Sequence, residues 1–300
     1  MKTKRVALRG HKIEGLYYIK PSNVMLLSSY SLDVENVKII LEAIRQYNAP
    51  ILHVYPSSVY LLAKIIKDNQ LTLSHHFKLI ALSSEPLMQH QKNLIKDVFH
   101  TNLSHWYGHT EKAVLAGYCE KEDTFHIYPQ YGITEILNSD GSPTPAGKTG
   151  EIVGTSFWNL ATPFVRYKTQ DFAEVGADSC ASCGRNYKIL NRIEGRLQDY
   201  VIDKDGHLIS LTALIFAQHF KAFENIVSLK LEQYEKGIVN VNIVPDKHFS
   251  PADQAEVKQV MQDVTGGRLT VNIHITDKIE RTKAGKQPFL KQNLNVNEYL

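Results

Sequence analysis

Apolar positions along the first hundred residues follow two alternating rhythms. VMLLSSY (24–30), ILHVY (51–55) and KLIALSS (78–84) are short apolar runs bounded by polar or turn residues, as expected of buried strands. Between them, DVENVKIILEAIRQY (33–47) sets Val34, Val37, Ile40 and Leu41 at helical spacing. SVYLLAKIIKD (58–68) reads as a second helix, and a third is predicted from Met88 to Phe99. Strands alternating with helices predict an α/β fold with a mainly parallel sheet. Ligands of such sheets sit at the carboxyl ends of the strands. Ser84-Glu85 and Tyr107-Gly108, each just past a strand, therefore stand where a ligand is expected.

From about residue 127 the pattern changes to shorter β-like segments with turn residues, including the Asp140-Gly141 turn and a strand over Gly150 to Ser156. This stretch predicts a small β subdomain. The last hundred residues read as a small α+β domain. LKLEQYEKGIVNVNIVPD gives two strands across a Glu-Lys-Gly turn, and SPADQAEVKQVMQDVTGG gives a helix with Ser250 as N-cap and Pro251 in its first turn. LTVNIHIT alternates again as a strand. The expected division is 1–197 as a large domain (α/β body 1–126, β subdomain 127–197) and 198–300 as a small mobile C-terminal domain.

Composition narrows the function classes. The net charge of +3 arises from 34 basic and 31 acidic residues with no long basic block, which argues against nucleic acid as a partner. No run approaches the length of a membrane span, and the basic N-terminus lacks the apolar core of a signal peptide. A cytoplasmic protein is expected. Three cysteines, an odd number, argue against a disulfide framework.

Five motifs carry more. SSEPL (83–87), YGHTE (107–111), RYKTQD (166–171), RIEGRLQDYVIDKDG (192–206) and RTKAGK (281–286) occur in that order. Each alone also fits a turn or a helix N-terminus, where Thr110 and Glu111 would serve as caps. Together they resemble the adenylate-forming superfamily of acyl-CoA synthetases. The nearest resemblance is to the phenylacetate-CoA ligase group and its CapK-like capsular polysaccharide biosynthesis branch.

The resemblance implies the adenylate-forming fold and an AMP-forming ligase. Such an enzyme joins a carboxylic acid to AMP from ATP, then passes the acyl group to CoA. By the same resemblance, Tyr107 stacks on adenine, Gly108 lets the backbone approach it, and Ser84 and Glu85 line the adenine and acyl pocket. Thr110 bonds near the α-phosphate, and Glu111 holds Mg²⁺, a hard ion suited to carboxylate oxygen. Asp171 accepts the ribose hydroxyls, Arg196 reaches ribose or phosphate, and Gln198-Asp199 forms the hinge. Lys286 is the adenylation lysine, a cation placed for charge developing in the transition state. Gln170 departs from the pattern, which has glycine at that position, and Gln198 replaces an aspartate at the hinge.

The superfamily grips ATP phosphates with a Ser/Thr/Gly-rich loop followed by Pro-Lys, upstream of the YGHTE-type motif. Residues 1–106 contain no such run. The expectation is an N-terminally truncated chain, inactive alone, with a separate polypeptide supplying the phosphate loop. Two alternatives stay open: a non-catalytic nucleotide-binding or accessory protein of this fold, and acyl transfer to a protein thiol as in acyl-protein synthetases. CASCGR (180–185) spaces Cys180 and Cys183 so that both thiolates can reach one metal. With Cys119 and His126 they make a candidate Cys₃His zinc set, and free thiols in a knuckle-like turn are the alternative.

Overall fold

The computed structural model describes residues 3–9, 13–196, 199–216, 221–281 and 287–299. Its contacts divide the chain into two compact units, residues 1–105 with 280–288 and residues 106–279 with 289–300.

The first unit holds β1 (Arg5–Arg9), β2 (Tyr17–Lys20), β3 (Val24–Ser28), α1 (Val34–Tyr47), β4 (Ile51–Val54), α2 (Pro56–Asp68), β5 (Leu79–Ser83) and α3 (Gln89–Phe99). Its strand order is β2-β3-β1-β4-β5. The β3–β1, β1–β4 and β4–β5 pairs are parallel, and β2 joins antiparallel at the edge. The α/β architecture with a mainly parallel sheet is thus the one the hydrophobic rhythm predicts. Helix α1 starts where the Asp33 carboxylate accepts the Asn36 amide, and ends where Asn48 turns left-handed at φ 52°. One face of each helix packs on the sheet. Leu8, Leu27, Ile40, Leu52, Leu62 and Ile95 are all fully buried there, and each such side chain contributes about 1.5–3 kcal/mol.

Strand β6 (Asn102–Gly108) carries the chain into the second unit. There β7 (Leu115–Tyr118), β8 (Phe125–Ile127), β9 (Gly132–Leu137), β10 (Thr149–Ser156), β11 (Tyr167–Val175) and β12 (Ile189–Arg196) form the β subdomain in the order β7-β8-β12-β11-β10-β9. Every pairing in it is antiparallel. A short hairpin, β13 (Tyr200–Ile202) and β14 (Leu208–Ser210), precedes the α+β portion of β15 (Ile226–Glu235), β16 (Ile238–Pro245), α4 (Pro251–Val264), β17 (Thr270–Ile275) and β18 (Leu290–Gln292). This sheet has the order β17-β16-β15-β18. Ser250 and Asp253 cap α4 reciprocally.

Among the described residues no helix is long and apolar enough to cross a membrane.

Candidate functional site

The YGHTE segment ends β6 and enters a turn that leads to β7, so no helix begins at Thr110 or Glu111. Tyr107 is the penultimate residue of β6, and its hydroxyl donates to Asp171 Oδ2 at 2.6 Å. Arg196 Nε donates to Asp171 Oδ1 at 3.1 Å. The last pair follows from register: Asp171 and Arg196 are direct partners across antiparallel β11 and β12. Burial, and then the Asp171 charge, pushes the Tyr107 hydroxyl far above its usual range, so it remains a donor. Asp171 is buried at 7% exposure, whereas the Arg196 side chain is 54% exposed. An ion pair so open to water adds little stability. Arg196 is the last residue of β12, whereas Asp171 lies in the middle of β11.

Glu111 completes the group. His109 Nδ1 lies 3.2 Å from its Oε2, and the Tyr167 hydroxyl reaches Oε1 at 3.5 Å. Its own amide N–H, then His109 and Arg196, hold its carboxyl below the usual range. An ionised, 35% exposed carboxylate fits a hard cation with oxygen ligands. The Asp171 oxygens, each holding one donor, keep further lone pairs for ribose hydroxyls. Thr110 and Gly108 are exposed beside them. A Cβ at Gly108 would lie 3.2 Å from Leu115 Cδ1, so a larger residue would crowd β7.

Gln170, the departure from glycine, has φ 61° at an irregularity between β10 and β11, and its amide is held by Glu151 Oε1 at 3.2 Å. Left-handed backbone costs an ordinary residue about 1–2 kcal/mol, which the chain entropy of glycine partly cancels. Gln170→Gly is therefore expected to raise stability by about 0.5–1 kcal/mol, read as a higher urea midpoint at unchanged slope. A lower midpoint would show that the Gln170 side chain holds the bend.

Ser84 and Glu85 follow β5 in the first unit. Ser84 is exposed at φ 71°. Glu85 is buried, and its Oε2 accepts the Ser57 amide at 2.9 Å while Oε1 accepts the Gln287 amide at 3.0 Å. Ser57 is the second residue of α2, whose N-cap residue Tyr55 offers no capping side chain. Glu85 thus satisfies a helix-end amide from outside the helix, where the dipole favours a negative charge. Arg281 joins the same cluster by donating to the hydroxyls of Ser57 and Ser58 at 3.3 and 3.4 Å. Lys286 and Gln198 lie outside the described residues. Asp199 accepts the Arg196 amide at 2.9 Å, and Gly195, next to last in β12, takes φ 91°. Burial raises the Asp199 carboxyl.

Cys119, His126, Cys180 and Cys183 also meet within the second unit. One ligand atom from each lies within 4.8 Å of all the others. No disulfide joins these cysteines, and Cys119, Cys180 and His126 are buried. Among the described residues the other grouping of this kind, Asp203, Asp205 and His207, is a turn. There Asp203 accepts the amides of Asp205 and His207 and an Arg268 N–H.

The motif reading does not reach Tyr167, and it takes His109 to face the site without assigning it a role. His109 stands inside YGHTE and Tyr167 inside RYKTQD, so both were visible. Neither spacing nor residue type shows that their side chains converge on Glu111. His109 Nε2 is buried without a hydrogen-bond partner among the described residues.

The fold is that of the adenylate-forming ligase superfamily. The chain superposes on 2-hydroxyisobutyryl-CoA ligase in its postadenylation state, in complex with 2-HIB-AMP, with a TM-score of 0.71 at 15% identity, covering 98% of this chain and 66% of that one. The amide bond synthetase McbA from Marinactinospora thermotolerans gives a TM-score of 0.66 at 16% identity, covering 96% and 61%. In sequence the chain is a distant relative of CapK and of phenylacetate-CoA ligase. It is 23% identical to Protein CapK of Staphylococcus aureus over 299 residues, 97% of this chain and 65% of that protein. It is 33% identical to phenylacetate-coenzyme A ligase of Thermus thermophilus over 84 residues, 28% of this chain and 19% of that enzyme. Residues 201–293 match the family described as CapK C-terminal domain. The chain thus spans just under two thirds of the length of the CapK protein it matches.

Proposed function

We propose that this chain carries the nucleoside-binding part of an AMP-forming carboxylic acid ligase. The observation that carries the reading is the convergence of Tyr107, next to last in β6, and Arg196, last in β12, on the Asp171 carboxylate in β11, with Glu111 in the same unit. In the reaction a substrate carboxylate oxygen attacks the α-phosphorus of ATP, the bond to pyrophosphate breaks, and an acyl-adenylate forms. The thiol of CoA then attacks the acyl carbon and AMP leaves.

In this reading Tyr107 offers its ring face to adenine, and Gly108 leaves room for the base. Asp171 and Arg196 hold the ribose, Thr110 bonds the α-phosphate, and Glu111 holds Mg²⁺, which would neutralise phosphate charge. Lys286 supplies positive charge to the transition state, and Gln198-Asp199 is the hinge of a mobile C-terminal domain. Similarity to CapK supports a role in capsular or surface polysaccharide synthesis, and the use of ATP and CoA supports a cytoplasmic setting. The grip on the β- and γ-phosphates comes from a polypeptide segment other than these 300 residues.

The test separates binding from turnover. The 300-residue chain is expected to bind AMP weakly by calorimetry and to release no pyrophosphate with a panel of aryl and aliphatic acids. Removing a single transition-state donor costs roughly a hundred- to a thousandfold in rate, and a whole loop costs more. Pyrophosphate release is expected once a polypeptide that carries a phosphate-gripping loop is added. Absence of AMP binding at millimolar nucleotide would overturn the reading. Robust turnover by the 300 residues alone would overturn the assignment of the phosphate grip elsewhere.

A further inference from the structure

We propose that Cys119, His126, Cys180 and Cys183 bind one structural Zn²⁺. The inference stands apart from the ligase reading, because it rests on a different set of side chains. Tetrahedral zinc with Zn–S near 2.3 Å and Zn–N near 2.0–2.1 Å requires S···S edges of about 3.8 Å and N···S edges of about 3.6 Å. Cys119 Sγ and Cys180 Sγ are 3.9 Å apart. Cys183 Sγ and His126 Nε2 are 3.5 Å apart. Two independent edges of the four-atom set thus already have the lengths a zinc ion imposes.

The backbone is arranged for thiolates as well. The Lys121 amide donates to Cys119 Sγ at 3.4 Å. In the CASCGR turn the amides of Ser182 and Cys183 point at Cys180 Sγ, and the Arg185 amide points at Cys183 Sγ. The turn closes through Gly184, at φ 74°, whose amide bonds the Cys180 carbonyl. These N–H groups stabilise negative sulfur, which a metal site needs and a set of packed neutral thiols does not. Three thiolates and a neutral imidazole around Zn²⁺ leave an excess negative charge. The Arg185 guanidinium, which bonds both Glu120 and Cys183, lies beside it.

Four protein ligands leave no open position for water, so the site is structural rather than catalytic. Its place in the fold states what it holds. Cys119 follows β7 and His126 lies in β8, paired across the hairpin with Gly117. Cys180 and Cys183 lie in the connection between β11 and β12, the strands that carry Asp171 and Arg196. One ion ties the β7–β8 hairpin to that connection and sets the frame of the cluster around Asp171.

The test uses the 300-residue chain purified without chelator and without a metal-affinity column. Metal analysis is expected to give about one zinc per chain. Cobalt substitution is expected to give the sulfur-to-cobalt charge-transfer bands and visible bands of a tetrahedral thiolate site. Chelation is expected to lower the thermal midpoint of the native chain, while Cys183→Ser, at the least buried ligand, loses zinc and that response together. Should C183S fail to fold, the cobalt spectrum of the native chain decides. Less than about a tenth of an equivalent of zinc, together with no cobalt–thiolate spectrum, would overturn the proposal. A Cys180–Cys183 disulfide in freshly purified protein, or iron with inorganic sulfide, would also overturn it.

Discussion

Asp171→Asn is expected to weaken AMP binding by roughly ten- to a hundredfold, because a hydrogen bond to a charged group contributes about 1.5–3 kcal/mol. The native carboxylate accepts from Tyr107 and Arg196 and keeps lone pairs for a ribose. An amide offers one acceptor oxygen and turns an N–H toward one of those donors. Tyr107→Phe is the control. It frees Asp171 Oδ2 while keeping the charge, so nucleotide affinity should fall far less than in D171N. Calorimetric titration of both variants with AMP checks the order, and circular dichroism checks that each remains folded. If D171N binds AMP as the native chain does, the ribose role of Asp171 fails, and the Tyr107–Asp171–Arg196 cluster is a structural contact.

Glu85→Ala is expected to destabilise the first unit by about 3 kcal/mol, since it strips the Ser57 and Gln287 amides of a buried acceptor and leaves a void. Urea denaturation measures it, and an effect below about 1 kcal/mol would show that water replaces the carboxylate. The pH dependence has a definite sign. Burial raises the Glu85 carboxyl above its ordinary value of 4.5, and the Ser57 and Gln287 amides only partly offset this. A raised folded value means the folded state holds the proton more tightly. The stability that Glu85 contributes is therefore full below about pH 4.5 and is lost as pH rises through the raised folded value. Glu85→Gln cannot titrate, so the difference in stability between native and variant chains should shrink as pH rises from 4.5. A constant difference across that range would show that the group does not titrate in the folded state. The pocket role that the resemblance implies for Glu85 is separable from this one, since it predicts an effect on nucleotide affinity at constant stability.

Much of the fold was legible because local patterns and global structure agree. The apolar runs at 24–30, 51–55 and 78–84 became β3, β4 and β5, and the Val37, Ile40, Leu41 stripe became the buried face of α1. The alternation of Val239, Val241 and Ile243 became the buried side of β16. Periodicity reports which face of an element meets the core, and that is decided within a few residues. The candidate site was legible only as a list of residue types in order. Tyr107, Glu111, Asp171 and Arg196 were named from motifs, with nothing in the sequence to say that one carboxylate would receive both the tyrosine and the arginine.

The sequence by itself determined β3 to β5 with α1 to α3, the α/β character of the first unit, the α+β character of the C-terminal portion and the spacing of Cys180 and Cys183, whereas β1, which lies between β3 and β4, and the edge strand β2 emerged only from the structure. Only the tertiary structure decided that Asp171 faces Arg196, because that pairing depends on the register of β11 on β12 across a long connection. It alone brought Cys119 to Cys180 across 61 residues. It alone gave Glu85 to the Ser57 and Gln287 amides, 28 and 202 residues away. The physical reason is the same in each case. Side-chain periodicity is a local property of the backbone, whereas register and long-range closure are selected by burial and hydrogen bonding summed over whole strands, which no short window of sequence contains.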